Sequence, residues 1–444
     1  MTIEECKKYF DSLDGTISTP GKPIKTLPYK EIYECRFCGS KDLWTFLDLG
    51  MMPLVNNLLN TKDEVHELYP LAVKNCRNCL MSQLSISIDP NVLYKNYLYR
   101  SEMSKEFKVH CEELSKEIVY KHLPTDAFVI DIASNDGTFL KTLKEKNDDI
   151  YALDMWHACD SLKVLGVDPA ENLCKIAESK GIATCNRLFD YETALNIRAS
   201  DGEADVITVQ NCFAHVNDIW NFMHGIKQLL KPEGTFIVEV PWAGDLVENC
   251  LFGQCYHEHL SYITVKGMYL FLEKFDMHIE NIKYFTSIHG GSIRFYIKHG
   301  RKYGDVSNLF TLHNCISRED FLFRLDNLMG VSYRAGKGRI DLDYHEMKNF
   351  VGVGAAAKGT ILANFYNLKD RMKVIYDSTP EKHFKYQPGT RIEIRPFEEL
   401  KDESRDILIL PDNWKNEIYK NIRKINQKSK IVVVVPNYEV MNGI

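Results

Sequence analysis

No apolar run in the chain approaches the roughly 18 residues needed to span a bilayer, and the first ten residues, MTIEECKKYF, carry charge where a secretion signal would have an apolar core. A membrane partner is therefore not expected, and the expected location is the cytoplasm. Positive charge is not in excess either. The 55 Lys and Arg stand against 61 Asp and Glu, a net charge of -6, with no long basic run. Generic attraction to a phosphate backbone is weak in such a chain, so nucleic acid is not an expected partner. Low-complexity, collagen-like and coiled-coil patterns are missing as well. A composition of 45% hydrophobic, 11% aromatic and 26% charged residues is that of a globular protein. Its 444 residues suit about two to four domains. The thirteen cysteines are an odd number in a chain without a secretion signal, which excludes a disulfide framework as their explanation.

Four of those cysteines are explained by spacing. Cys35 and Cys38 form CRFC, and Cys76 and Cys79 form CRNC. Each pair is the turn that lets two thiolates hold one metal from adjacent corners of a tetrahedron. Zinc is the expected metal for an S4 set in an N-terminal module, and four protein ligands close the site, so the zinc is expected to be structural. The other cysteines read as small buried hydrophobes.

The middle of the chain alternates strand and helix. From Ala127, FVIDIASNDGTFLKTLKEK reads as an apolar strand ending at Asp131, a turn of small residues, then a helix. Ala133, Ser134, Asn135 and Gly137 are small enough for backbone amides and a helix N-terminus to approach a ligand closely. A second strand, KVLGVDPAENL, ends at Asp168, an acid that suits ribose hydroxyls at that place, and Pro169 after it is a further candidate for the cofactor. Asp131 and Asp168 are 37 apart, where about 20 residues usually separate the glycine turn from the acid. A segment near 147–162 is therefore expected to be inserted. Further strands are expected in ADVITVQNCFAHV, ending at Asn211, and in GTFIVEVPW, with the helix IWNFMHGIKQLL between them. The turn lacks the full GxGxxG of dinucleotide folds. The whole pattern is similar to class I S-adenosylmethionine methyltransferases.

These strings occur together with DLGMMPLVNN, YHEHLSY, HGGSIRFYI and GVGAAAKGTILANF. In this order, over roughly Cys35 to Pro436, they resemble the C-methyltransferases that act on nucleotide-linked deoxyketosugars. The resemblance implies three parts: a zinc-binding domain over 30–90, a Rossmann-like methyltransferase domain over 91–285, and a C-terminal Rossmann-like α/β domain over 286–444 on the substrate side. It also implies S-adenosylmethionine as cofactor and methylation of a sugar carbon, commonly C3, beside a C4 ketone. Such a carbon can lose a proton to a positioned base and then attack a sulfonium methyl, provided the enolate is stabilised.

Residue by residue, the resemblance makes His259 the candidate base. Tyr256, Glu258 and His215 would orient the sugar or stabilise the oxyanion. Tyr97 is a further catalytic candidate, and Tyr99, His257 and His289 are candidate substrate contacts. If the YHEH string is extended, Tyr256 and Glu258 share one face and His257 and His259 the other. A zincin site is excluded, because the two histidines lie two apart and not in the HExxH arrangement.

The last third carries a rival signal. Gly352, Gly354 and Ala357 satisfy GxGxxA, and Asp377 follows some twenty residues on, a dinucleotide fingerprint when taken alone. The alternatives left open are a nicotinamide-dependent sugar-nucleotide oxidoreductase, an O- or N-methyltransferase with the same cofactor half, and a catalytically silent binding protein. In the methyltransferase reading, Lys358 and the turn amides are expected to hold the sugar nucleotide's phosphates.

Overall fold

The computed structural model describes residues 29–93, 105–153, 158–286, 291–300 and 306–441. Tyr97, Tyr99 and His289 lie outside the described residues. The apolar run read as a first strand is Asp126–Ile132, buried along all but its first residue. A strand covered on both faces reads as a near-continuous apolar run because it lies in the middle of a parallel sheet. Its parallel neighbours are Ser161–Val167 and Ala204–Gln210. The full seven-stranded sheet runs, in spatial order, Met277–Phe285, Ser292–His299, Leu230–Pro241, Ala204–Gln210, Asp126–Ile132, Ser161–Val167 and Thr184–Cys185. Ser292–His299 runs antiparallel to both of its neighbours, against the direction of the other six strands. The strand order reverses beside Asp126–Ile132, the chain building outward first through Ser161–Val167 and then on the other side through Ala204–Gln210, so the loops after these central strands open into one crevice, where ligands of open α/β sheets bind.

Two expected boundaries are corrected. The division at 286 falls inside a hairpin, since Met277–Phe285 pairs with Ser292–His299 from Met277↔His299 to Phe285↔Ser292. The sheet thus continues to His299. The extra length between Asp131 and Asp168 is not a loop inserted at 147. The helix Thr138–Leu153 buries Phe139, Leu140, Leu143 and Ile150 at helical spacing and runs through that point, and the next strand begins at Ser161. Asn147, buried in the helix, donates from Nδ2 to the Cys159 carbonyl and accepts from the Cys159 amide, both at 2.9 Å. That pair of bonds draws the returning chain back onto the helix.

The cysteine-rich lobe is an antiparallel sheet of Leu43–Pro53, Leu68–Cys76 and Ser82–Leu84. Its fourth strand comes from far along the sequence: Ser261–Tyr262 pairs with Gln83 and Ser82. A lobe this small cannot bury a large core alone. Phe37, Phe46, Leu47 and Val73 accordingly join one continuous core with Phe252, Ile263 and Phe271 of the methyltransferase part.

Helices Val306–Leu322 and Leu325–Tyr344 lead to a third sheet, in the order Ile394–Pro396, Met372–Asp377, Phe350–Val353, Ile407–Ile409, Ile431–Val433, Glu439–Val440. The first five strands are parallel, as the βαβ alternation requires. Among the described residues, no helix is long and apolar enough to cross a membrane.

Candidate active site and metal centre

The four cysteines converge. Cys35 Sγ lies 3.6 Å from Cys79 Sγ and Cys38 Sγ lies 3.5 Å from Cys76 Sγ, and all four sulfurs are within 4.8 Å of one another. A zinc ion with four thiolates at about 2.3 Å places them roughly 3.8 Å apart at the corners of a tetrahedron. The set therefore fits a closed, structural zinc site. Asn78 Nδ2 sits 3.6 Å from Cys38 Sγ, the kind of outer contact that orients a ligand sulfur.

At the crevice, the turn after Asp126–Ile132 is held in an unusual backbone. Ala133, Asn135 and Gly137 all have left-handed φ, at 58°, 55° and 74°. The turn is tied to the neighbouring strand end by Ala133 N and Ser134 N, which donate to the Val167 carbonyl at 2.7 and 3.3 Å. Gly137 is required for space as well as for φ, since a Cβ there would lie 2.9 Å from Ala177 Cβ. Asp168, expected to face ribose hydroxyls, accepts from the amides of Asn135 (2.9 Å) and Ala170 (2.8 Å), so its carboxylate also shapes the turn. Burial holds its carboxyl above the usual range. Exposed Pro169 forms the corner that follows.

Asp131 is buried and accepts from Thr208 Oγ1 at 2.5 Å. Burial pushes its carboxyl up to about 7, opposed by the Thr208 bond and reinforced by the charge of Asp168. The strand expected to end at Asn211 ends at Gln210, and Asn211 takes a left-handed φ of 56°.

Three buried polar atoms here lack a hydrogen-bond partner: Ser134 Oγ, Gln210 Oε1 and Asn211 Oδ1. They lie at the carboxyl ends of adjacent strands. Unsatisfied buried groups concentrated at one strand edge are what a polar ligand resolves, so the crevice fits a nucleoside cofactor with ribose and amino-acid groups.

The YHEH string is a turn, not an extended segment. The His259 amide donates to the Tyr256 carbonyl at 2.9 Å, which brings residues three apart together and corrects the expected alternation of faces. Tyr256 OH and His259 Nε2 share a hydrogen bond of 2.7 Å, with ring centroids 4.0 Å apart. His215, from the loop after Ala204–Gln210, places its ring 4.9 Å from that of His259. Burial lowers the His215 imidazole to about 4, so it is neutral at neutral pH.

Glu258 is buried, and burial raises its carboxyl to about 7 against a 2.6 Å hydrogen bond donated by Asn56 Nδ2. His257, expected among the substrate contacts, points the other way. It is 2% exposed, lies edge-on to Tyr69 and reaches the Pro70 carbonyl at 3.2 Å. A small cavity beside His259 is walled by Ala214, Trp242, Leu246, Gln254 and Tyr262.

The C-terminal GxGxxA turn is occupied by the protein's own groups. Asp377 Oδ2 accepts from the Ala355 amide at 2.7 Å, and Lys382 Nζ donates to the Ala355 carbonyl at 3.0 Å. A Cβ on Gly354 would lie 2.5 Å from Pro411. Asp377 thus braces its own loop as Asp168 braces the first turn, and what differs here is the Lys382 ammonium 3.5 Å from Asp377 Oδ2 and Pro411 packed against Gly354. Lys358 is half-buried at the seam with the methyltransferase part, close enough that a Cβ on Gly253 would lie 3.4 Å from its Cβ. Burial lowers its ammonium and Asp412 opposes that.

Sequence reasoning missed Asn56, although it lies in the PLVNN string quoted above. It also missed a buried network in which Glu239 accepts from Arg294 Nε at 2.7 Å and shares a 2.7 Å hydrogen bond with His110 Nε2. A charged residue inside an apolar strand such as IVEVP was the available signal.

Family models match three stretches: a zinc binding domain over 35–94, a methyltransferase domain over 99–282 and a C-methyltransferase C-terminal domain over 340–436. The chain is an S-adenosylmethionine-dependent C-methyltransferase. The C-methyltransferase NovU of Streptomyces niveus is 27% identical to it over 428 residues, covering 93% of this chain and 98% of that protein. Similar solved structures include an S-adenosylmethionine-dependent methyltransferase of Anabaena variabilis, with 21% identity, 43% of this chain and 85% of that chain covered, and a TM-score of 0.32. Another, from Clostridium acetobutylicum, has 15% identity, with 48% and 96% covered and a TM-score of 0.33. The match to a methyltransferase domain gives S-adenosylmethionine as cofactor, and the match to a zinc binding domain with the four clustered cysteines gives a structural zinc.

Two outcomes follow for the cofactor and metal sites. Cys79→Ser, which removes one thiolate from a closed S4 set, should lose bound zinc in metal analysis and lower the thermal midpoint. Unchanged zinc content would contradict the site. The Asp131 carboxyl binds its proton more tightly when folded, at about 7 against about 3.9 unfolded. Its contribution favours folding below the unfolded value and is lost as the pH rises through the folded one. Asp131→Asn should therefore gain stability relative to wild type between about pH 5 and about pH 8 in chemical denaturation. Parallel pH curves for the two proteins would contradict it.

Proposed function

We propose that this methyltransferase alkylates a ring carbon, C3, of a nucleotide-linked 4-keto-deoxysugar through an enolate. The observation that carries the reading is the triad of rings in the crevice: Tyr256 hydrogen-bonded to His259 at 2.7 Å, with His215 4.9 Å away by ring centroids. A carbon acid needs an unprotonated base and a donor for the oxyanion, and acid–base groups within hydrogen-bond reach of each other provide both. His259 takes the C3 proton at Nε2. Tyr256, released from Nε2 when the sugar enters, donates to the C4 oxygen as negative charge develops there. His215, neutral because it is buried, can donate as well without placing a cation beside the base. Glu258, fastened by Asn56, holds the turn.

When bound, S-adenosylmethionine supplies an electrophilic methyl group on sulfur. The chain's part is to hold it: Asp168 toward the ribose, and the turn of Ala133, Ser134, Asn135 and Gly137 with Asp131 and Asn211 around the rest. Tyr97, Tyr99 and His289 belong to the proposed sugar contacts, and Lys358, on the C-terminal wall, faces the nucleotide's phosphates. The units are a zinc lobe, a methyltransferase unit and a C-terminal substrate-side unit. A thiolate zinc site in a chain whose other described cysteines are unpaired suits a reducing compartment, the cytoplasm.

The test is mass spectrometry of reactions with S-adenosylmethionine and a panel of nucleotide 4-keto-6-deoxysugars. One sugar should gain a single methyl group on carbon while S-adenosylhomocysteine forms. Methyl found on oxygen or nitrogen, or no transfer to any member of the panel while the cofactor binds, would sink the reading.

A further inference from the structure

We propose that Arg36, which lies between two of the zinc-binding cysteines, is a positioning residue for His215. The inference rests on the reading of His215 as part of the reaction site. Arg36 follows Cys35 in the first knuckle and is aimed out of the zinc lobe. Its NH1 donates to the Asn217 carbonyl at 2.8 Å and lies 3.4 Å from Asn217 Oδ1. The contact is reciprocal, since Trp220 Nε1 donates to the Arg36 carbonyl at 2.9 Å. Asn217 is fastened from the same lobe a second time, by Ser87 Oγ donating to Oδ1 at 2.7 Å. Behind Arg36, its own amide donates to Gln83 Oε1 at 2.9 Å, and Gln83 Nε2 donates to the Glu34 carbonyl at 2.9 Å.

The Asn217 carbonyl is two residues from His215, in a loop whose internal bonds are short-range: His215 N to the Cys212 carbonyl at 2.7 Å and Val216 N to the Phe213 carbonyl at 3.4 Å. Turns of this kind leave the direction of a side chain to their anchors. Gln83, which braces Arg36, is also the register partner of Ser261, two residues beyond His259. One short strand of the zinc lobe thus indexes both histidines, His215 through Arg36 and His259 through Ser261.

The arrangement is a poor one for stability alone. Arg36 Nε and NH2 are buried without hydrogen-bond partners, a cost that an apolar residue at this place would avoid. A charged donor that leaves two of its groups unmatched, yet makes a directed bond to a backbone carbonyl, is explained by geometry. The zinc site then fixes where the loop's histidine stands, in addition to folding its lobe.

The test compares wild type, Arg36→Met, Arg36→Lys and Trp220→Phe as full-length, zinc-loaded proteins. Three quantities are read: zinc content, amide hydrogen exchange by mass spectrometry, and kcat and KM on the sugar nucleotide that the panel identifies. Arg36→Met should keep its zinc and its affinity for S-adenosylmethionine. Exchange should quicken over 211–217, and kcat should fall on the order of 10 to 100-fold, as expected when a reacting group shifts by about 1 Å. Arg36→Lys should recover part of the loss, since an ammonium can still donate to Asn217. Trp220→Phe, which leaves the knuckle intact, should move exchange and kcat the same way by less, and it decides the matter if Arg36→Met loses zinc.

Unchanged exchange over 211–217 in the zinc-loaded variants would overturn the proposal. Faster exchange with wild-type kcat would overturn it too, by removing His215 from the reaction. If no panel member is methylated, the proposed function fails, and the exchange measurement alone decides whether Arg36 holds the loop.

Discussion

The site depends on the seam where the zinc lobe grips the methyltransferase unit. Asn56 donates to Glu258, Leu84 N donates to the Leu260 carbonyl at 3.1 Å, and Ser261–Tyr262 completes the lobe's sheet. Every one of these contacts falls within three residues of His259. A turn of six residues on a protein surface would sample many conformations. Enclosed by two units and stitched into a sheet, it presents one. The zinc contributes at a distance, since a lobe with so little core of its own needs the metal to keep its knuckles, and through them the seam, in place.

Burial does most of the electrostatic work around the crevice. It raises the carboxyls of Asp131 and Glu258 and lowers the imidazole of His215, so the walls carry less charge than their composition suggests. A sulfonium cofactor and an anionic enolate would meet in such a site with few fixed charges competing for either. Of the fixed charges that remain, Asp136 in the turn is paired with Lys180 at 3.4 Å, and another set is paired away from the crevice. Glu239 is matched by Arg294 and His110 inside the core, where their partners offset the cost of desolvation.

Much of this was legible in the sequence, because local rules and tertiary structure agree there. The strand at FVIDI, the turn at Ala133 to Gly137 and the paired knuckles are short-range patterns with a physical cause, and each stands where it was expected. The YHEH string was misread because alternation assumes an extended backbone, and a turn follows i to i+3 instead. That error placed His257 beside His259, whereas it is buried against Tyr69 and Pro70. The GxGxxA string in the C-terminal unit is legible as a strand–turn–helix and misleading as a cofactor signal. Only the structure shows Lys382 beside Asp377 and Pro411 packed against Gly354. Residues acting across units, Asn56 on Glu258 and Arg36 on Asn217, are 202 and 181 positions apart, and no local pattern encodes such a pairing.

The central claim is that His259 removes a proton from the sugar carbon before the methyl group moves. It is tested most directly by incubating the substrate in deuterated water with enzyme and S-adenosylhomocysteine, so that no methyl donor is present, and following deuterium at C3. Wild type should exchange that hydrogen. His259→Ala should lose the exchange while still binding S-adenosylhomocysteine. Exchange at the wild-type rate in His259→Ala would assign the base to another residue and contradict the account.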